Sequence, residues 1–202
     1  NRGAEVGVTM PHPHGQLYAY PFVPLKIKTE LNNCKAYYEK HGEPLFSVMN
    51  KTELAYKKRV VNENEHFVAY LPYFTDYPYG VFIVSKAIRY SFADFSNDEQ
   101  HSLASILRET VGTFDFLFDR PFPYMMCIHQ IPVNSPEYAD CTDYYHFHIE
   151  FYPPLRTKNK IKWYASSEMG AWAAANVVEV ENSAAELRAA LQRFKNYDAN
   201  RQ

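Results

Sequence analysis

Cysteine is scarce in this chain: the three among 202 residues, Cys34, Cys127 and Cys141, are far apart, and none belongs to a C-x-x-C pair. That spacing supplies no zinc knuckle of the usual kind, and an odd count argues against a disulfide scaffold. The three read as ordinary reduced thiols, small and apolar. Long hydrophobic runs are also missing, and none approaches the roughly 20 residues needed to span a bilayer. The start lacks the basic-then-apolar layout of a secretory signal, so cytoplasm is the default location. Charge of neither sign dominates, with 21 basic and 23 acidic residues and a net charge of −2. That balance gives no electrostatic reason to expect nucleic acid, while a nucleotide ligand remains compatible with it. Apolar material is plentiful: 47% hydrophobic and 16% aromatic residues suffice for one sizeable core.

One short cluster stands out, His12-Pro13-His14-Gly15-Gln16, preceded by Glu5-Val6-Gly7-Val8-Thr9-Met10-Pro11. In an extended segment residues i and i+2 project to the same side, so both imidazoles can reach one site. Pro11 and Pro13 restrict the backbone and remove donors. Neutral histidine is a competent nucleophile near pH 7 and forms covalent intermediates. Gln16 can donate an amide N–H to a phosphoryl oxygen, and Gly15 permits close approach of the backbone to a ligand. The combination points to phosphate chemistry.

The segment from Asn1 to Gln16 resembles the active-site segment of the galactose-1-phosphate uridylyltransferases, a branch of the histidine-triad superfamily. The likeness continues through Glu30, Ile128-His129-Gln130 and His148-Ile149-Glu150-Phe151-Tyr152-Pro153-Pro154-Leu155. It implies that His14 is the catalytic nucleophile that becomes uridylylated, and that His12 ligates a structural zinc ion. Without that zinc, His12 reads as an orienting hydrogen-bond partner. It further implies that Asn1, Thr9 and Gln16 contact substrate phosphates. Lys162 falls where the family has a lysine near the phosphate, although Lys158-Asn159-Lys160-Ile161-Lys162 reads equally as a solvated basic stretch. Glu168 also matches a family glutamate. Beyond Gly170 the correspondence weakens, because residues 171–176 lack the glutamine with which well-known members contact phosphate.

The family's other ligands to the structural zinc lie upstream of the nucleophile, and this chain starts at Asn1 without a methionine. The expectation is therefore the C-terminal portion of a longer protein, with the N-terminal half as its partner and a homodimer as the working unit.

A second cluster is readable from strand geometry. With a period of two, His146, His148 and Glu150 lie on one face and Phe147, Ile149 and Phe151 on the other. With His129 on a neighbouring strand, imidazoles and a carboxylate converge, a donor mix suited to zinc or iron(II). The plainer reading is a polar, solvated strand face. The resemblance implies a second metal site made of Glu30, His129 and His148. Its fourth position carries Glu150 where the family has a histidine; Glu150 is thus a candidate fourth ligand and His146 its substitute.

The wider pattern predicts an α+β fold, a histidine-triad-like domain with an antiparallel sheet and flanking helices. A strand is expected over Leu17-Tyr18-Ala19-Tyr20, stopped by Pro21 and Pro24. Helices are expected over 26–39 and 45–56, hairpin strands over 58–62 and 66–71, and a buried strand over 80–85. Ser96-Asn97-Asp98-Glu99 forms a capping box opening a helix to about Phe118. Strands follow over 124–131 and 144–152, and Ser183-Ala184-Ala185-Glu186 opens a short final helix. The implied organisation is the tail of one histidine-triad-like unit (1–24), a connecting helical segment (25–57) and a complete second unit (58–202).

The implied reaction is exchange of UMP between UDP-glucose and galactose-1-phosphate through uridylyl-histidine. Three other readings remain. A relative with the same nucleophile could transfer another nucleotide, as do phosphorylases that transfer AMP to phosphate. The His/Glu cluster could instead serve a mononuclear metal oxygenase, which leaves His-Pro-His-Gly-Gln unexplained. This chain alone could also be an inert metal-stabilised binding module.

Overall fold

Ser96 caps its helix in both directions. Its hydroxyl accepts from the Glu99 amide, and the Glu99 carboxylate accepts from the Ser96 amide at 2.8 Å. In the computed structural model, which describes residues 1–10, 12 and 15–201, this box starts the third of five helices. The helices are α1 (Leu25–His41), α2 (Leu45–Tyr56), α3 (Asn97–Leu117), the single turn α4 (Ser167–Gly170) and α5 (Val180–Ala199). The strands are β1 (Val60–Glu63), β2 (Phe67–Tyr70), β3 (Phe82–Ser85), β4 (Met125–His129), β5 (His148–Tyr152), β6 (Leu155–Thr157) and β7 (Lys160–Ile161). The first five make one antiparallel sheet in the order β1-β2-β3-β5-β4, and β6 pairs with β7.

Helices cover both faces of the sheet, which explains why the central strands β2 and β3 are apolar at nearly every position and fully buried. Alternation divides each strand between two cores. Phe67, Ala69, Ile83, Ile149 and Phe151 face α3 and α5, where they meet Leu103, Ile106, Phe114, Ala184 and Leu187. Val68, Tyr70, Phe82 and Val84 face the opposite core with Leu31 and Cys34 of α1 and Phe46 of α2. Each fully buried aliphatic or phenyl side chain of this kind contributes about 1.5–3 kcal/mol relative to exposure. Cys34 and Cys141 are buried and Cys127 is exposed, all three as free thiols.

Three elements depart from the sequence expectation. Residues 17–20 form no strand: Leu17 is 99% exposed, and no ladder partner lies alongside among the described residues. Tyr18 and Tyr20 still stack on one side, as an extended i, i+2 pair does. The strand expected from Tyr144 begins only at His148, because residues 141–143 make a turn of 3-10 helix and the Phe147 amide bonds to the Arg89 carbonyl outside the ladder. The final helix opens at Val180, not Ser183, and runs 20 residues. Its apolar stripe continues backward through Val180, whose burial against the core extends the helix past the local start signal.

Candidate functional site

Antiparallel register brings the second cluster together. His129 on β4 stands directly across from His148 on β5, and Cys127 across from Glu150, so these side chains share the face covered by α1. One side of α1 delivers Glu30, partly buried, into the same space. The Glu30 Oε2 lies 2.9 Å from His129 Nδ1 and 3.9 Å from His148 Nε2. Glu150 Oε1 lies 3.2 Å from His148 Nε2 and 3.8 Å from His129 Nδ1. All four donor atoms fall within 4.8 Å of one another.

The donors fit a metal ion. Bonds of about 2.0–2.2 Å in a tetrahedron put donors roughly 3.4 Å apart, and the four separations above scatter around that value. The ring of His148 is already oriented for ligation. Its Nδ1–H donates to the His146 carbonyl at 3.0 Å, so Nε2 is the ring nitrogen that faces Glu150 and Glu30 and would serve as the ligand atom. Phe46 stacks on the same imidazole at 4.3 Å between centroids, fixing its plane.

Donors around the cluster hold the two carboxylates. Tyr145 donates to Glu30 Oε2 at 3.0 Å. Tyr152 donates to Glu150 Oε2, and Lys26 Nζ donates to that same oxygen at 2.5 Å and to the Tyr152 hydroxyl at 2.6 Å. Burial alone would raise the Glu150 pKa. The hydrogen bond with His148, the field of His129 and the Lys26 ammonium outweigh it and hold the carboxyl ionised, well below the usual carboxylate range. Burial, followed by the adjacent carboxylates, pushes Tyr145 and Tyr152 strongly upward, so both phenols stay protonated donors. A cleft of about 860 Å³ opens beside the cluster, with Lys26, Glu30, Glu150, Tyr152, Phe74 and Trp172 among its lining residues.

The remaining sequence candidates lie elsewhere. His146 shares the face of His148 but points its Nε2 at the Ala87 carbonyl (3.1 Å) and Ser85 Oγ (2.9 Å), outside the four-donor group. Burial lowers its pKa to about 4, so it is neutral at pH 7. Asn1 accepts the Met126 amide at 2.8 Å on the edge of β4. Thr9, His12 and Gln16 are exposed, and Gln16 Oε1 accepts from Tyr18 at 2.7 Å. Lys162 is buried, its ammonium donating at 2.5 Å to each of the Asp76 and Ala175 carbonyls. His14 lies outside the described residues.

Sequence reasoning missed Lys26, Tyr145 and Tyr152. Two carried a usable signal: Lys26 precedes Glu30 by one helical turn, and Tyr152 follows Glu150 by two on the same strand face. Tyr145 carried none. Strict alternation would put it opposite His146 and His148, and only the irregular backbone before β5 turns its hydroxyl toward Glu30.

The chain is 41% identical over 189 residues to galactose-1-phosphate uridylyltransferase of Thermotoga maritima, covering 93% of this chain and 58% of that protein. The enzyme of the same name from Haemophilus influenzae is 35% identical over 77% of this chain and 43% of its own length. A solved uridylyltransferase structure superposes with a TM-score of 0.87 at 34% identity, over 95% of this chain and 58% of that one. An ADP-glucose phosphorylase from Arabidopsis thaliana, solved with bound ADP-glucose, superposes at 0.79 with 25% identity, over 92% of this chain and 56% of that one. This chain thus spans between 43% and 58% of the length of these relatives. The family described as galactose-1-phosphate uridyl transferase, C-terminal domain, matches residues 30–197, and on that match this chain belongs to the galactose-1-phosphate uridyl transferase family.

Proposed function

We propose that this chain works as part of a nucleotidyltransferase that moves UMP between UDP-glucose and galactose-1-phosphate. The similarity to uridylyltransferases over 93% of the chain is the observation that carries the reading. In the first half-reaction His14 attacks the α-phosphorus of UDP-glucose, the bond to glucose-1-phosphate breaks, and that phosphate leaves with the electron pair. In the second, an oxygen of the galactose-1-phosphate phosphate group displaces His14 and yields UDP-galactose. Splitting one transfer into two displacements is the gain from a covalent nucleophile. Gln16, Asn1, Thr9 and Lys162 are the candidates to donate to non-bridging oxygens. Asn1 is engaged through its acceptor Oδ1, and this role would draw on its Nδ2–H donors; Lys162 already gives two of its three N–H donors to backbone carbonyls.

Glu30, His129, His148 and Glu150 would hold zinc or iron(II), and the ion would tie α1 to the sheet in a structural role. His12 would ligate a second, structural zinc with donors from the N-terminal half. Residues 1–24 would then complete an N-terminal histidine-triad-like unit, 25–57 connect it, and 58–202 form the second unit. The protein would act as a homodimer in the cytoplasm.

A second reading has one observation in its favour, the likeness to the ADP-glucose phosphorylase. Intact-mass spectrometry after incubation with UDP-glucose or ADP-glucose separates the two. We expect a uridylyl adduct on the peptide containing His14, absent from His14→Ala and formed about a hundredfold more slowly in Gln16→Ala, the usual order for removing one donor. An adenylyl adduct alone would overturn the base assignment, and a uridylyl adduct persisting in His14→Ala would overturn the nucleophile.

A further inference from the structure

The two carboxylates of the cluster are unequally free. Glu150 is 98% buried and offers Oε1 toward His148 and His129. Its other oxygen is already engaged twice, by the Tyr152 hydroxyl and by the Lys26 ammonium. Those two donors also bond to each other, and the ammonium sits 4.6 Å from the Tyr152 ring centroid, so lysine, phenol and carboxylate form one closed unit. Two elements build it: β5 places Glu150 and Tyr152 two residues apart on one face, and the first turn of α1 supplies Lys26. Helical spacing sets Lys26 one turn from Glu30, 4.0 Å from its Oε1, so the same cation lies near both acids.

From this we infer that Lys26 and Tyr152 are positioning residues that make Glu150 a one-oxygen ligand and offset the charge of the site's second carboxylate. Carboxylates bind metals through one oxygen or two. A carboxylate with one oxygen occupied by a cation and a phenol presents the other alone, which keeps the donor count at four. Two acids, a divalent ion and Lys26 sum to +1, whereas without Lys26 the same group is neutral and Glu150 Oε2 is exposed to the ion. Lys26 thus tunes coordination number through Glu150 without touching the ion.

The inference rests on the metal reading of the cluster, so the test must separate the two. Cobalt(II) serves as the probe, because its visible absorption is strong in four-coordinate sites and falls as coordination rises. The samples are the unaltered chain, Lys26→Met with Tyr152→Phe, Lys26→Arg, and the paired substitution in a Glu150→His background, each brought to one bound cobalt per chain by metal analysis. We expect a severalfold loss of absorption in Lys26→Met/Tyr152→Phe, an unchanged spectrum in Lys26→Arg, and no effect of the paired substitution when residue 150 is histidine. An undiminished spectrum in Lys26→Met/Tyr152→Phe would overturn the clamp while leaving the metal site intact, as would an equal loss in the Glu150→His background. Failure of the unaltered chain to bind cobalt would overturn the metal reading beneath it.

Discussion

Chelation should loosen this protein measurably, because the four-donor cluster joins α1 to the sheet through Glu30 on one side and His129, His148 and Glu150 on the other. An ion that binds only the folded chain stabilises it by RT ln(1 + [L]/Kd), about 4 kcal/mol at a thousandfold excess over Kd. For a chain of 202 residues each kcal/mol moves Tm by about 2–4 °C, so zinc at that excess should raise Tm by roughly 8–16 °C over a chelated sample. Glu30→Gln keeps the size of the side chain and an acceptor for Tyr145 but removes the charge. Weakening Kd about a hundredfold, worth about 2.7 kcal/mol, leaves an increment of about 1.4 kcal/mol at the same zinc concentration. That corresponds to roughly 3–6 °C. Thermal unfolding by circular dichroism, run in chelator and in excess zinc for both proteins, reads these numbers directly. Equal Tm for the unaltered chain with and without zinc would refute the metal reading, and an undiminished increment in Glu30→Gln would remove Glu30 from the ligand set.

Two further outcomes concern the frame around the site. Arg59 bonds to Glu53 through Nε (3.0 Å) and Nη2 (2.8 Å) and to Glu181 through Nη1 (2.8 Å), joining α2 to α5. Glu53 is only 6% exposed, so Arg59→Met should strand a buried charge and cost about 3 kcal/mol in urea denaturation, while Arg59→Met with Glu53→Leu should recover most of it; a single substitution costing under about 0.5 kcal/mol would show the pair to be idle. At Gly112, an added Cβ would meet the Phe194 ring at 2.3–2.6 Å. Gly112→Ala should therefore lower stability by about 1–3 kcal/mol, despite a gain of roughly 1 kcal/mol in helix propensity, and Phe194→Leu added to it should restore the Tm; a more stable single variant would show that α3 and α5 can move apart at no cost.

Much of this protein was legible without coordinates, because its signals are local and periodic. The capping box at Ser96, the apolar stripe of α3 and the alternation of residues 146–151 each follow from the fixed repeats of helix and strand. Alternation also put His148 and Glu150 on one face, and the resemblance named Glu30 and His129 as their companions. Where the reading failed, the deciding contacts were distant in sequence. The alternation of residues 17–20 is that of a strand, yet a strand is defined by its neighbour, and none lies beside it among the described residues. Helix α5 begins at Val180 because burial of that side chain outweighs the local start signal at Ser183. Sequence by itself determined which residues share a face, since one strand's geometry suffices for that. Only the tertiary structure decided that Lys26 and Tyr152 hold one oxygen of Glu150 and leave the other to the cluster, because that choice depends on how the first turn of α1 packs across β5.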